Sequence, residues 1–231
     1  FIFLTLVSFT FLYLLITKEG KNYENKKEEK FPNGVLAVNT NKSFYTINEK
    51  VEIGAASLRP DGNTLCNSDL EIKIKQPDNT EVTLSTKDGG VEKSSTCDEN
   101  NNVTNNPDYF SVFYPAQEGK YTVVLSNKDN ENKQETEFEV ILDPQLNIER
   151  QGVTRINPFA TDRYPMILKV TSEKNFSGQV IETIPSSFDI VWNGNSSTEE
   201  SESEKNIIWD VDLKAGETIE LIYEYKAPQI S

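Results

Sequence analysis

Residues able to do chemistry gather most densely in "STCDENNNVTNNPDYF", residues 95 to 110. There Cys97 leads a run of carboxylates and carboxamides into an aromatic pair. Asp98, Asn100 and Asn102 fall at positions 1, 3 and 5 of a calcium-loop register. That register needs glycine at its sixth position and a bidentate glutamate at its twelfth, and this chain has Val103 and Tyr109 instead. The helix–loop–helix reading therefore fails, and no metal site is expected. A looser surface calcium site using Asp98, Glu99, Asn102 or Asp108 is the alternative to a polar connection whose end is held by Tyr109 and Phe110 entering a core.

The chain contains no histidine, which removes His-based nucleophilic triads, general-base histidines and Cys-His zinc sites. A pair of carboxylates facing each other across a cleft is the remaining hydrolytic route. Its best local candidates, Asp210 and Asp212 in "WDVDLKAGE", alternate with Trp209, Val211 and Leu213, so both belong on the outer face of a strand. Trp192 and Trp209 would make a sugar-stacking platform only if both were exposed, and their apolar neighbours place them in or near a core. No catalytic residue and no cofactor-binding residue is expected. Sequons beginning at Asn41, Asn102, Asn175 and Asn195 are glycan acceptors where a cell has the machinery.

Cys66 and Cys97 are the only cysteines. Neither belongs to a Cys-x-x-Cys pair, and both lie in one β-rich stretch following an export-like segment. A disulfide between them is expected, which would close a loop worth about 3–4 kcal/mol in the chain-entropy account and place the domain in an oxidising compartment. Two unrelated buried thiols are the alternative.

The elements that must position these residues follow a period of two. "VLAVN" and "EKVEIGAASLRPDG" put Val51, Ile53 and Ala55 on one face, and "DLEIKIKQPDN" buries Leu70, Ile72 and Ile74 while exposing Glu71, Lys73 and Lys75. "YFSVFYP" follows, and then a hairpin in which Tyr121, Val123 and Leu125 answer Phe138 and Val140. After Asp143-Pro144 a second series begins at Leu146, with "YPMILKVTSE", "SGQVIETIP", "FDIVW", "NIIWDVDL" and "ETIELIYEYKAP" as its strands. "NGNSSTEESESEKN", between the two tryptophans, is too polar to pack and reads as a mobile hairpin loop.

Ahead of all this, the 17 residues before Lys18 carry no charge and would span about 25 Å as a helix, a little short of the roughly 30 Å hydrocarbon layer. No small-x-small cleavage site follows, so an uncleaved membrane anchor is preferred over a signal peptide. Residues 18 to 33 read as a charged tether. The net charge of −14 argues against nucleic acid as a partner.

Two phrases resemble known families. "Y-x-x-N-E-x-V-x-I", followed by a strand, an Asp-Gly turn and an "I-x-I-x-x-P-D" strand, is similar to immunoglobulin-like and macroglobulin-type extracellular domains. It is carried by Tyr45, Glu49, Val51, Ile53, Asp61, Gly62, Ile72, Ile74, Pro77 and Asp78. Ile47-Asn48 stands where Pro-Gly would be usual, so this turn must form differently. The second half resembles the conserved-repeat adhesive modules of bacterial surface proteins, through Gly178, Val180, Pro185, Phe188, Trp209, Gly216, Glu217, Tyr223 and Tyr225. The whole looks similar to a piece of the giant membrane-anchored surface proteins of candidate-phylum bacteria.

The expected fold is all-β, with two tandem immunoglobulin-like antiparallel β-sandwiches at 34–142 and 146–228 behind a transmembrane segment at 1–17 and the tether at 18–33. The resemblance implies a single-pass protein of the cell membrane with both domains extracellular, a non-catalytic structural or adhesive module. Its partners would be the membrane, through the N-terminal helix, and other surface proteins or glycans. The alternative is a carbohydrate- or protein-binding module, with calcium assistance through the asparagine loop.

Overall fold

The computed structural model describes residues 33–60, 62–99, 106–153 and 162–226. The expected membrane helix and nearly all of the tether lie outside them. The described secondary structure is strand and turn throughout, and among the described residues no helix is long and apolar enough to cross a membrane.

The first unit begins with β1 (Val35–Thr40), which pairs antiparallel with β3 (Val51–Leu58). β3 in turn pairs with β7 (Tyr109–Phe113), and the two-residue β6 (Glu92–Lys93) closes that four-stranded sheet. The second sheet has the order β2 (Phe44–Tyr45), β9 (Lys133–Val140), β8 (Gly119–Asn127), β4 (Leu70–Lys75), β5 (Glu81–Ser85). The alternation read from the sequence sets their faces. Val51, Ile53, Leu70, Ile72, Ile74, Tyr121, Val123, Leu125 and Val140 are all buried, and residues from both sheets form one apolar cluster. Tyr121 faces Phe138 across the β8–β9 ladder and stacks on it at 4.8 Å. Between β1 and β2 the chain crosses from one sheet to the other, where β2 runs parallel to β9.

Ile47-Asn48 solves its turn without glycine. Asn48 takes a left-handed φ of 62°, a region that asparagine tolerates better than other side chains. Its N–H then donates to the Pro115 carbonyl at 2.8 Å.

The second unit has its own apolar cluster. One sheet runs β10 (Leu146–Gly152), β11 (Tyr164–Ser172), β16 (Thr218–Lys226), β13 (Asp189–Trp192). The other runs β12 (Phe176–Pro185), β15 (Glu204–Leu213), β14 (Ser197–Glu200). The polar stretch after Trp192 corrects the mobile-loop expectation. Residues 197–200 form β14 against β15, with every residue exposed. Backbone pairing asks for no apolar side chain, so a ribbon polar on both faces can extend an already anchored strand.

Candidate functional site

Among the described residues the candidate side chains do not come together as a reactive centre. Cys66 and Cys97 are joined in a disulfide, with Cα atoms 5.9 Å apart. The Tyr109 hydroxyl reinforces the same corner: it donates to the Leu65 carbonyl at 2.6 Å and accepts from the Ser68 N–H at 2.9 Å. Phe110 corrects the expectation that both aromatics enter the core. It lies on the outer face of β7 at 38% exposure, because neighbours on a strand point to opposite faces. Asn100 and Asn102 of the calcium reading lie outside the described residues. Of the others, Glu99 lies 3.9 Å from Arg59, and the Asp108 carbonyl accepts from Ser94. Among the described residues no group of three His, Cys, Asp or Glu side chains is placed to hold a metal ion.

Asp210 and Asp212 are exposed on β15, and Gln179 donates to Asp210 at 3.0 Å. The tryptophans are parted. Trp209 is 5% exposed and packs near Tyr223 in the core, whereas Trp192 is half exposed on β13 in the other sheet. They make no shared platform.

Two charged constellations went unpredicted. The first spans the junction of the units. Lys42, only 7% exposed, places its Nζ 2.6 Å from Glu49 Oε1 and 3.5 Å from Glu149 Oε1 of the second unit. Glu49 is fixed from its other oxygen, which accepts from the Thr46 N–H and hydroxyl. Burial alone would raise the Glu49 pKa, but the hydrogen bonds from Lys42 and Thr46 outweigh it and hold the carboxyl below its usual range. The backbone here is pinned as well. The Tyr45 hydroxyl accepts from the Lys42 N–H and donates to Asn41 Oδ1, and the Asn41 carbonyl accepts from the Arg150 N–H at 3.3 Å. Burial pushes the Tyr45 phenol up, so it stays protonated and able to donate. Beside this brace lies an open cleft of about 370 Å³, lined from the first unit by Tyr45, Thr46 and Glu49, from the connection by Asp143 and from the second unit by Asn147 and Glu173.

The second constellation is inside the second unit. Arg150 Nη2 lies 2.7 Å from Glu182 Oε2, and both side chains are almost wholly buried. The Tyr223 hydroxyl donates to the other Glu182 oxygen at 3.2 Å. Burial works against the Arg150 charge, but the Glu182 carboxylate more than compensates and raises the guanidinium pKa. Burial, and then Glu182, push the Tyr223 phenol well up. Every member is matched, so the set resembles a structural network more than a reactive one. Parity would have found it. Leu146, Ile148 and Arg150 share one face of β10, and Val180, Glu182 and Ile184 share one face of β12, so each inward face carries one charge of opposite sign. Nothing in the sequence marks Lys42.

No protein-family model matches the chain, and no curated protein matches it. Among solved structures it is similar to two of Salmonella alpha-2-macroglobulin: a point mutant at 18% identity and the methylamine-reacted protein at 15%. In each, 86% of this chain aligns with 12% of that one, at a TM-score of 0.35. The chain thus spans about an eighth of those proteins' length. So low a TM-score leaves its fold and function to its own geometry.

Proposed function

We propose that the chain is a non-catalytic spacer or adhesive piece of a membrane-anchored surface protein, made of two tandem immunoglobulin-like β-sandwiches held outside the cell. The strand order of the first unit supports the domain reading. With β1, β3, β4, β6, β7, β8 and β9 taken in turn as strands A to G, one sheet is A-B-E-D and the other is G-F-C with β2 added beside G and β5 beside C, an order that contains that of immunoglobulin domains. Tyr121 supplies the corner typical of such domains, its hydroxyl donating to the Gln117 carbonyl four residues upstream.

The observation that carries the spacer reading is the junction. A short connection follows Val140, and Lys42 is held between carboxylates of both units, with a backbone hydrogen bond beside it. A spacer must transmit orientation from one module to the next, and a brace of this kind limits bending. Spin labels at Lys73→Cys and Asp212→Cys in the full chain in detergent should give a narrow distance distribution that Lys42→Ala broadens. A wild-type distribution as broad as the variant's would remove the spacer reading.

A second reading, a binding module for protein or glycan, is favoured by one feature. Phe110 and Val112 are exposed on the outer face of β7, and Tyr114, just past its end, is 59% exposed. Exposed apolar patches of this kind mark contact surfaces. A glycan-array signal abolished by Phe110→Ser with Tyr114→Ser would support it, and silence across the array would count against the glycan branch.

A further inference from the structure

Tension on a spacer travels along its chain, so the directions of the strands by which the chain enters and leaves each unit decide how it is resisted. Ladder hydrogen bonds lie across the strands. Neighbouring strands pulled from opposite ends slide lengthwise and load those bonds together, whereas strands pulled from the same end open them one at a time. In the first unit the chain passes through β2 and leaves by β9, and these two run parallel, with Phe44 opposite Glu139 and Tyr45 opposite Val140. The start of β2 and the end of β9 therefore lie at opposite ends of the pair. The Glu139 N–H donates to the Ser43 carbonyl at 3.0 Å, and the Ile141 N–H to the Tyr45 carbonyl at 2.9 Å. Short as β2 is, Tyr45 anchors it in the core at 1% exposure.

The second unit reaches the same loading by another route. Strands β10 and β16 flank β11 and each runs antiparallel to it, so they are parallel to one another. Entry at Leu146 is level with Ser172 and exit at Tyr225 is level with Tyr164, at the two ends of β11. Seven register pairs on one side of β11 and eight on the other are loaded at once. In neither unit do the entry and exit strands form an antiparallel pair, the arrangement that would unzip.

We infer, resting on the spacer reading, that the chain is a tension-bearing link loaded in shear through both units, with the β2–β9 pair as the clamp behind which the first unit stays folded. β1 lies ahead of the clamp, so its loss alone frees few residues. β3 to β8 lie between β2 and β9 in the chain and extend only when that pair parts. The disulfide then limits how far they extend. Cys66 and Cys97 close off β4, β5 and β6, and their separation of 31 residues holds back about 100 Å of extended chain.

The test is constant-force optical tweezers on the full chain in detergent micelles, with handles at its two ends. Each unit should lengthen in one step. Dithiothreitol should lengthen one of the two steps by about 100 Å, which marks it as the first unit. Glu139→Pro removes the N–H that bonds to Ser43 and should shorten the first unit's lifetime under load roughly fivefold, the effect of losing one hydrogen bond. Tyr121→Phe removes a hydrogen bond away from the pair and should leave that lifetime unchanged. Where Glu139→Pro does not fold, Ile141→Pro replaces it with the same expectation. Lifetimes that fall equally in the proline and phenylalanine variants would show that force reads only overall stability, and would overturn the proposal. So would a lifetime that neither proline shortens, or steps that reduction leaves unchanged. A narrow spin-label distribution beside an unchanged lifetime sinks the clamp alone and leaves the spacer standing.

Discussion

The two units finish the same side of their structure by opposite means. In the first, the chain crosses between sheets from β1 to β2, so one continuous segment edges both, and buried Tyr45 packs edge-on against Phe138 at 5.2 Å. In the second, β10 stays in one sheet and β12 edges the other, and what spans the gap is the Arg150–Glu182 pair with Tyr223 behind it. A strand that changes sheets joins the layers covalently and leaves an apolar interior. A buried ion pair joins them only while both partners are present, and it bears the cost of taking two charges out of water. The second unit's closure is therefore specific in register but vulnerable to single changes.

Breaking that closure should give the largest effect. Arg150→Ala leaves Glu182 buried without its cation, and Glu182→Ala does the reverse. Each should destabilise the second unit by about 3–5 kcal/mol, read from urea unfolding followed by Trp209 fluorescence. Replacing both together with Arg150→Met and Glu182→Leu should recover most of the loss, because an apolar pair carries no desolvation penalty. If the double variant is as unstable as either single one, the pair contributes more than its charges and the comparison with the first unit fails.

The first unit has its own cross-link, but at a corner. Reducing the Cys66–Cys97 bond, whose cysteines lie 31 residues apart, should cost about 3–4 kcal/mol by the entropy of the loop it closes. The unit should nevertheless stay folded, because the Tyr109 hydroxyl grips the segment on both sides of Cys66. Tyr109→Phe combined with reduction should unfold it, while either change alone should not. Intrinsic tyrosine fluorescence and limited proteolysis between residues 60 and 99 would register the difference.

The cores of both units were legible because alternation fixes which side of a strand faces inward, and Val51, Ile53, Leu70, Ile72 and Ile74 follow it without exception. Alternation was also available where it was not used. It assigns Phe110 to the face opposite Tyr109, and it places Arg150 and Glu182 in a core. The polar segment after Trp192 misled because composition reports on packing, whereas β14 is held by backbone pairing and an ion pair between Glu200 and Lys205. Lys42 could not have been found. Its partners lie seven and 107 residues away in the chain, and only the meeting of two units makes them neighbours.

Smaller effects separate the units further. The Tyr225 hydroxyl is buried without a hydrogen-bond partner among the described residues, beside a small apolar gap at Ile184 and Phe188. Burial raises its pKa first, and Tyr164 adds to the rise. Removing an unsatisfied buried hydroxyl recovers its desolvation cost, so Tyr225→Phe should be neutral or stabilise the second unit by up to about 1 kcal/mol. Tyr121→Phe in the first unit removes a hydroxyl that is bonded to the Gln117 carbonyl, and should destabilise by about 1 kcal/mol. A loss of stability in Tyr225→Phe would mean that this hydroxyl has a partner.

The junction itself should respond weakly to acid, with a sign set by Glu49. Its folded pKa lies below the ordinary value of 4.5, since the Lys42 and Thr46 hydrogen bonds outweigh the opposing effect of burial. A depressed carboxyl binds fewer protons folded than unfolded, so its stabilising contribution is complete above the unfolded value and is lost as pH falls through the folded one. Between pH 7 and 5 the brace should not change. Below about pH 4.5 the distance distribution between labels on the two units should broaden towards that of Lys42→Ala. Glu49 is partly exposed, at 26%, and Glu149 more so, at 38%, so screening keeps the effect small, and raised salt should weaken the Glu149 side of the brace before the Glu49 side. Glu49→Gln should broaden the distribution at pH 7 and remove its acid dependence. If that variant still broadens below pH 4.5, the acid response does not belong to Glu49.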